Sequence, residues 1–464
     1  MSVKICLKSL VILLVCAFFA GCSTYGSRME ETRLLFSQGE YDEALKKLEK
    51  TESGSSKLLY MLERGMILHY AGRYEESNNI FEEAEILAED LYTKSVSKEL
   101  GAFLTSDNTI LYEGEKFERA LIHYYRAFNY INLGLPDDAL VECRKVSFLL
   151  QRYLDESEES SAYSDDAFMH YLAGILFEWQ GEINDAFISY RKAAESYERY
   201  EEEYGISQPS SLKSDLLRAA SALRFEEEYN YYLEKYGDSY VRPETDEESG
   251  ELILIHENGF APNKDAIEIA FPILKVDKPG DDFGKYSREL RSRADHHYAD
   301  VDIEYMLRVS MPTYESTRPG IAYMEVSTSG NQQCPPLQVS SEMVEDVEAI
   351  AMKNFVEDEP IILLRTLARG VAKYLAFKTA KKKGGDVGGI LVNVFNFATE
   401  NADTRSWLTL PNSFGMARMS LPPGKYDLHL SFRDENGREV KSANLQGVEI
   451  RSDDFTFLNY RTFQ

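Results

Sequence analysis

Apolar and polar residues follow different patterns in successive parts of the chain. The chain begins with a short apolar segment. Residues 10–20 form an almost unbroken apolar run after two lysines, Lys4 and Lys8. As a helix this run rises only about 16 Å, whereas the hydrocarbon core of a bilayer is about 30 Å thick. The run is therefore too short to span a membrane and is typical of the core of an export signal.

The next part, residues 30–240, repeats one pattern. A glycine is followed by a polar turn, then by a small residue five positions after the glycine, then by an apolar or small residue four positions later. A degenerate fifth unit covers residues 216–237. The pattern resembles tetratricopeptide (TPR) repeats and predicts an all-α solenoid of paired helices with a concave surface for a protein partner. The turn glycines of the four clear units are Gly39, Gly72, Gly134 and Gly181.

Two features inside these repeats bear on packing. Gly65 and Gly174 each lie seven positions before a turn glycine, where a missing side chain lets the two helices of a unit approach closely. Tyrosines are also dense, and they fit either the core between the helices or a surface for a partner. The tyrosines concerned are Tyr60, Tyr70, Tyr112, Tyr124, Tyr125, Tyr130, Tyr171, Tyr190, Tyr197 and Tyr200.

The pattern changes after a polar segment at 241–250, which we interpret as a linker. Short runs rich in β-branched and aromatic residues then predict strands. We expect an α+β domain over 251–400 and a small β-sandwich-like unit over 401–464, so that the chain is a multidomain protein. The predicted strands of the α+β domain lie at about 251–262, 266–276, 301–314 and 321–329.

Helical spacing returns within the α+β domain. A first helix is predicted over 341–356 and a second over 360–383, with a break before Pro360, which suits the first turn of a helix. The glycine-rich stretch at 383–390 predicts a flexible connector rather than a phosphate-binding loop, because a helix and not a strand precedes it.

The second predicted helix has one apolar face and one basic face. Arg365, Arg369 and Lys373 recur every four residues, in a chain that is otherwise strongly acidic. These cations fit contact with phospholipid heads, an acidic partner or the protein's own repeats. They equally fit a solvated face near the helix C-terminus, where the dipole favours cations. The opposite face carries Leu364, Leu367, Ala368, Val371 and Leu375.

Net charge excludes one class of function. The chain has 51 basic and 78 acidic residues, a formal net charge of −27. General nucleic-acid binding needs a basic footprint, so we expect no nucleic-acid partner. The same charge disfavours adhesion of the whole protein to anionic lipid.

The motifs of known catalytic sites give no candidate. The chain lacks the spacings of zinc proteases, serine hydrolases, nucleotide-binding loops and redox dithiols. We therefore expect no cofactor, no metal and no enzymatic activity. The alternative is an enzyme or ligand receptor with a site in the C-terminal domain. Its candidate residues are Arg405 and Trp407, within Asp403–Trp407, together with the basic helix; a structural ion pair and a packed indole explain the same residues.

The residues after the apolar run resemble the lipobox of bacterial lipoproteins. Phe19, Ala20 and Gly21 precede Cys22, with phenylalanine where leucine is commonest. The resemblance implies cleavage before Cys22, a signal peptide at 1–21 and a diacylglycerol on the cysteine thiol. Several acyl chains hold a protein stably on a membrane. An ordinary cleaved signal with a coincidental cysteine is the other interpretation.

The residue after the cysteine bears on location. In bacterial lipoproteins, aspartate after the cysteine retains the protein at the inner membrane. Ser23 stands at this position, so the same resemblance implies that the protein is located on the outer membrane and faces the periplasm. We expect a short lipidated tether over 22–29, of which the six residues 23–28 reach only about 20 Å when extended. The solenoid should therefore lie close to the bilayer.

Two further resemblances concern the C-terminal half and the whole chain. The segment LPPGKYDL at 421–428 resembles the closing hairpin of transthyretin-like and carboxypeptidase-regulatory-like sandwiches, which implies shape alone. Segments at 112–134, 139–145, 252–264 and 400–411 resemble a family of TPR lipoproteins of Gram-negative bacteria. The resemblance supports the domain order and adds no biochemical activity. The lipobox and the repeats together predict a lipid-anchored protein whose repeats bind or scaffold other envelope proteins, with support of cell-wall or envelope assembly as one concrete form of this role.

Overall fold

The computed structural model describes nine ranges of the chain. They are 25–52, 54–98, 111–156, 163–237, 249–274, 303–316, 318–329, 336–398 and 401–463. The predicted signal segment, Cys22 and most of the predicted linker at 241–250 lie outside these ranges.

The first half of the described chain consists of helices in sequential pairs. Each pair is joined by a short turn, and the five predicted repeat units are confirmed as five helical hairpins. The pairs are α1 Tyr25–Ser37 with α2 Tyr41–Leu48, α3 Lys57–Tyr70 with α4 Tyr74–Lys98, α5 Lys116–Asn132 with α6 Pro136–Glu156, α7 Ala167–Trp179 with α8 Ile183–Tyr204, and α9 Ser210–Leu223 with α10 Glu226–Tyr236.

The first helix begins earlier than the sequence predicted. Residues 25–29 belong to α1 and not to an extended tether, because Tyr25 and Met29 are buried against the neighbouring helices. The predicted tether of 22–29 is therefore too long. Burial of two apolar side chains within the first helical turns stabilises the helix in a segment that looks polar in sequence.

The turn residues take the left-handed backbone conformation that ends a helix. The four predicted glycines have φ between +71° and +79°, a region that glycine enters without steric cost. In the fifth hairpin Arg224 takes this conformation instead, with φ +58°. The degenerate unit therefore keeps the turn geometry although it has lost the turn glycine.

Two helix glycines allow the close approach that the spacing predicted. A Cβ added to Gly65 would lie 2.7 Å from the ring of Phe81, and one added to Gly174 would lie 2.3 Å from the ring of Tyr190. Both rings belong to the second helix of the same hairpin. Any side chain at either glycine would push the paired helices apart.

The described residues of the second half form strands and one long helix. The four predicted strands are confirmed as β1 to β4. The elements are β1 Gly250–Asn258, β2 Asn263–Leu274, β3 Ile303–Glu315, β4 Tyr323–Thr328, β5 Gln338–Ser340, β6 Glu342–Asp346, α11 Val347–Ala398, β7 Ser413–Leu421, β8 Gly424–Arg433, β9 Glu439–Ile450 and β10 Phe455–Thr462.

Eight of these strands form a β-sandwich. One sheet has the order β10–β1–β7–β6 and the other β5–β4–β8–β9. Leu252 of β1, Met419 of β7 and Leu430 of β8 meet in the core between the sheets. The Pro-Pro-Gly turn after Leu421 carries the chain from one sheet to the other, so it is not the hairpin turn that the resemblance implied.

The sandwich corrects the predicted division of the C-terminal half. β1 is hydrogen-bonded to β7 on one side and to β10 on the other. A boundary at residue 400 therefore separates strands that lie side by side in one sheet. Such pairing between distant segments is invisible to local periodicity, because it depends on which strands meet after the chain folds.

The predicted helices of this half also differ from the structure. Residues 342–346 form β6, and α11 begins at Val347 after Asp346, whose side chain accepts from the N–H of Ala349 at 2.9 Å. From there α11 runs unbroken through Pro360 and through the glycine-rich stretch that was predicted as a connector. A proline removes one backbone donor but does not end a helix that packing supports.

α11 packs on the two-stranded sheet of β2 and β3, and together we call these three elements the arm. Tyr305, Leu307 and Val309 of β3 meet Phe377 of α11 in a small separate core. A Cβ on Gly370 would lie 2.8 Å from Leu307, which places that side of the helix directly on β3. In the part of the chain that the structure describes, no helix has the length and apolarity needed to cross a membrane.

Candidate functional site

The sandwich covers one face of the helical repeats. Ile253 and Ile255 of β1, with Phe414 and Met416 of β7, belong to the same continuous core as the helices α3, α5 and α7. The alternation of β1 explains this, since its even positions face the sandwich interior and its odd positions face the helices. The repeats and the sandwich therefore share a buried interface.

The first helix of three successive hairpins presents the same kind of pair to this interface. Each has an acid and a tyrosine seven residues apart, a spacing that places both on one side of a helix. The pairs are Glu63 with Tyr70 on α3, Glu118 with Tyr125 on α5, and Tyr171 with Glu178 on α7. The polar side chains of these three pairs therefore all point toward the strands of the sandwich.

Glu63 and Glu118 hold the segment that precedes β7. Glu63 accepts from the backbone N–H of Leu408 at 2.8 Å and from the hydroxyl of Thr409 at 2.5 Å. Glu118 accepts from the backbone N–H of Trp407 at 2.7 Å and from the hydroxyl of Tyr112 at 2.5 Å. Both acids are fully buried. Two carboxylates of the repeats therefore satisfy backbone donors of a segment that has no strand partner there.

Burial also changes the acidity of this pair. Loss of solvent raises the pKa of Glu63 to about 7, against the opposing effect of its bonds to Thr409 and Leu408. Loss of solvent, with repulsion from Glu115, raises the pKa of Glu118 to about 7. The interface therefore contains two acids that titrate near neutral pH.

A second cluster is centred on Glu257 of β1. Tyr125 donates to this carboxylate at 2.6 Å, and Tyr70 donates to the same oxygen. The guanidinium of Arg461 lies 3.7 Å from the carboxylate and donates to Tyr70 at 3.0 Å. Glu257 is fully buried and Arg461 is nearly so. The charge of each is balanced by the other, as buried ions require.

A third cluster is centred on Arg418 of β7. Its guanidinium donates to Asp215 of α9 at 2.6 Å, to Glu251 of β1 at 2.8 Å and to Glu178 of α7 at 3.2 Å. Burial raises the pKa of Asp215 to about 6, although the positive charge of Arg418 opposes the shift. One cation thus ties two helices of the repeats to the sandwich.

The fourth cluster contains two acids surrounded by tyrosines. Asp166 accepts from the hydroxyls of Tyr124 and Tyr163, each at 2.8 Å, and from the N–H of Met169 at 2.8 Å. Glu345 of β6 lies beside it, with the hydroxyl of Tyr200 at 3.5 Å. Burial raises the pKa of both acids, and their mutual repulsion raises that of Glu345 further. Such a pair therefore holds a proton to a higher pH than an isolated carboxyl group does.

The tyrosines noted in the sequence therefore form both core and interface. Tyr124, Tyr125, Tyr171, Tyr190 and Tyr197 are fully buried. The residues they meet across the interface belong to the same chain, so this face of the repeats is covered by the protein's own sandwich.

Arg405 and Trp407 are buried, and their polar groups have partners within the protein. The guanidinium of Arg405 binds Asp403 at 2.6 Å and the backbone oxygen of Ser55 at 2.7 Å. Trp407 is 1% exposed, and its indole N–H donates to Thr409 at 3.1 Å. These side chains form the ion pair and packed indole of the simpler interpretation. They fix the segment before β7 on α3 and α5.

The basic helix also differs from its predicted orientation. Arg369 and Lys373 lie on the side of α11 that faces β3 and are 4% and 7% exposed, whereas Arg365 is exposed. The apolar face, with Leu364, Val371 and Leu375, points to solvent. The three cations therefore do not form one binding stripe, and they lie on a different element from Arg405 and Trp407. The predicted lipidation site, Cys22, lies outside the described residues.

One group in the described chain has the donor atoms of a metal site. Ligand atoms of Glu85, His123 and Glu142 lie within 4.8 Å of one another. Two cations already pair with these carboxylates, however. Arg126 lies 3.3 Å from Glu142, and Lys145 lies 3.1 Å from Glu85 and 3.4 Å from Glu142. The ion pairs between α4, α5 and α6 account for the cluster without a metal.

Comparison with known proteins gives similarity in the repeats. A putative kinesin light chain of Podosopora anserina with nearly identical TPR-like repeats is 14% identical over 45% of this chain and 91% of its own, with a TM-score of 0.29. RapI in its apo form is 14% identical over 46% of this chain and 52% of its own, with a TM-score of 0.34. PilF of Pseudomonas aeruginosa is 15% identical over 50% of this chain and 85% of its own, with a TM-score of 0.30. No family model and no curated protein matches the chain.

The hairpins themselves, with their left-handed turns and close helix pairs, make the first half of this chain a TPR-like solenoid. The second half is a β-sandwich with a helical arm. One feature of the sequence marks the interface between the two halves, although the repeat and strand patterns did not reveal it. An acid with a tyrosine seven residues away recurs in the first helix of three hairpins.

Proposed function

We propose that this protein is a lipid-anchored scaffold of the bacterial envelope, held on the outer membrane through Cys22. The observation that carries the proposal is the position of Tyr25. It lies three residues after Cys22 and is 4% exposed, packed among the first helices of the repeats. Three extended residues span about 10 Å, so an acyl chain on Cys22 holds the folded body directly against the bilayer.

The scaffold binds another envelope protein through the outer side of its repeats. The opposite side is filled by the sandwich, so it is closed to a partner. The second helices of the hairpins carry large apolar side chains that are exposed to solvent, and such side chains are common where proteins dock. They are Ile86 at 64%, Val141 at 45%, Phe148 at 75% and Ile188 at 36% exposure.

Two experiments test the two parts of the proposal separately. Palmitate labelling and membrane fractionation of the full chain and of Cys22→Ala test the anchor. The variant should lose the palmitate label and be washed from membranes by high salt, whereas the native chain should carry the label and stay bound. A native chain that takes up no label would refute the anchor.

Cross-linking and mass spectrometry of the lipidated protein in its own envelope test the scaffold. We expect one or more envelope proteins linked to α4, α6 or α8, with the yield reduced in Phe148→Glu. Val440→Glu, on a sandwich strand and 46% exposed, is the matched control and should leave the yield unchanged. Links confined to the sandwich or the arm would contradict this part of the proposal.

A further inference from the structure

One side of α11 is apolar and exposed, although the opposite side is buried on β3. Five apolar side chains recur along this side at spacings of three and four residues, which places them on one stripe of a helix. We call them the α11 stripe. They are Ile361 at 52%, Leu364 at 69%, Leu367 at 36%, Val371 at 53% and Leu375 at 56% exposure.

The neighbouring sheet extends this apolar surface. Ile267, Ile269 and Phe271 of β2 pair with Met311, Val309 and Leu307 of β3, so they share the face on which α11 lies. α11 covers the β3 side chains and leaves those of β2 between 37% and 51% exposed. The arm therefore exposes apolar side chains on both its helix and its sheet, and exposed apolar patches of this kind mark surfaces that bind a membrane or a partner.

The charge around the stripe is opposite in sign to that of the chain. Residues 360–385 contain seven basic and no acidic side chains, whereas the whole chain has a net charge of −27. Five of the seven are exposed: Arg365 beside the stripe, and Lys378, Lys381, Lys382 and Lys383 at its C-terminal end. An apolar helix face bordered by exposed cations is typical of a helix that lies in the surface of a membrane.

The stripe begins near the end of the chain that carries the proposed anchor. Tyr25 interacts electrostatically with Glu118 of α5. Glu115, at the start of the same helix, pairs with Lys264 at the root of β2. Asp358 of α11 interacts with Lys116, also in the first turn of α5. Tyr25, Lys264 and Asp358 therefore all lie within electrostatic range of the first turn of α5, and the stripe starts three residues after Asp358.

We propose that the α11 stripe inserts into the surface of an anionic phospholipid bilayer, with Arg365 and Lys378–Lys383 at the level of the lipid phosphates. Charge selects a lipid surface over a second copy of this chain, because two copies would bring two sets of cations together. Lipid phosphates attract the same cations and the acyl region accepts the apolar side chains. The inference rests on the proposed location at a membrane, but the contact between the stripe and the lipid requires no acyl anchor.

The test uses the mature chain from residue 22 with Cys22→Ser, so that no acyl chain contributes. Its flotation with vesicles of phosphatidylglycerol and phosphatidylcholine is compared with that of pure phosphatidylcholine vesicles, at low and high salt. We expect binding to the anionic vesicles, weakened by salt because exposed charges are screened. Because palmitate labelling at Cys22 is measured separately, failure of the anchor and failure of the stripe are distinguishable.

Two pairs of variants identify the residues responsible. Val371→Glu should lower the partition coefficient on anionic vesicles at least about tenfold, whereas Val440→Glu, of similar exposure on β9, should leave it unchanged. Reversal of Lys381, Lys382 and Lys383 to glutamate should have an effect of similar size. Reversal of Lys50, Lys192 and Lys425, which are exposed on other elements, gives the same net charge and should have little effect.

Three outcomes would overturn the inference. One is no flotation with anionic vesicles by a chain whose circular dichroism shows it folded. Another is binding that both control variants weaken as much as the α11 variants do. The third is a dimer that forms without vesicles and is lost in Val371→Glu, which would assign the stripe to a second copy.

Discussion

The carboxylate of Glu63 accepts a hydrogen bond from the backbone N–H of Leu408 at 2.8 Å, across 345 residues of sequence. Glu63 lies on the first helix of the second hairpin, and Leu408 lies in the segment that leads into the sandwich. The bond therefore joins the two halves of the chain inside their shared core. A buried acid in this position makes their docking sensitive to protonation.

We predict that Glu63→Gln changes the pH dependence of stability. The folded pKa of about 7 is above the ordinary value of 4.5, so between these values the folded state binds more protons than the unfolded state. Stability contributed by Glu63 is therefore complete below about pH 4.5 and is lost as the pH rises through about 7. Glutamine keeps a neutral acceptor for Leu408 and removes this loss.

Urea unfolding at pH 5 and at pH 8 checks this prediction. The free energy of unfolding of Glu63→Gln, relative to that of the native chain, should rise from pH 5 to pH 8 by an amount on the order of 3 kcal/mol. The difference between the two chains is the measured quantity, because burial lowers the pKa of His69 and of His256 and adds a pH dependence of opposite sign. A gain that is equal at both pH values would contradict the raised pKa.

Removal of Glu257 should strongly destabilise the fold. Glu257→Ala leaves the buried guanidinium of Arg461 without its counter-charge and removes the acceptor of Tyr70 and Tyr125. Loss of one partner of a buried ion pair costs about 3–5 kcal/mol. Denaturant unfolding measures the loss. Glu43→Ala, which removes an exposed ion pair with Lys46, is the control and should cost less than about 1 kcal/mol.

The repeats and the sandwich should unfold together. Arg418 ties α7 and α9 to β1 and β7, and Phe414 of β7 packs among Tyr124, Phe128 and Phe168 of the helices. Separation of the two halves would expose these groups to water or leave them unpaired. Scanning calorimetry of the mature chain should show one transition whose calorimetric and van't Hoff enthalpies agree. Two resolved transitions would show that the interface contributes little.

The repeats were predictable because their signal is local. A turn glycine with φ near +75° and a small residue inside each helix pair are set by sterics within about fifteen residues. The orientation of α11 was not predictable in this way. Its periodicity shows two distinct faces, but whether Arg369 or Leu364 faces the protein depends on β3, which is distant in sequence.

The interface was hidden for a related reason. Glu63 and Glu118 read as ordinary solvated acids, since their partners are backbone groups about 290 to 345 residues away. Trp407 and Arg405 were singled out in the sequence as a candidate patch, and in the structure their polar groups bond to neighbouring groups of the same chain. A side-chain type alone does not distinguish these roles, because both need a buried, satisfied polar group.

Gly65→Ala should destabilise the repeats through one contact. The new Cβ would lie 2.7 Å from the ring of Phe81, so α3 and α4 must separate, at a cost of about 1–3 kcal/mol. Gly26→Ala is the matched control, because Gly26 is also in a helix but has open space around it. There alanine should be neutral or stabilise by about 0.5–1 kcal/mol, since it loses less backbone entropy than glycine.

A double variant distinguishes this contact from a general effect on helix α3. Phe81→Leu shortens the ring that the new methyl group would meet, and in a chain that already carries Gly65→Ala it should cost less than it does in the native chain. We expect the two changes to couple by at least about 1 kcal/mol in a denaturant-unfolding cycle. Strict additivity would mean that the glycine is needed for another reason than close approach of the paired helices.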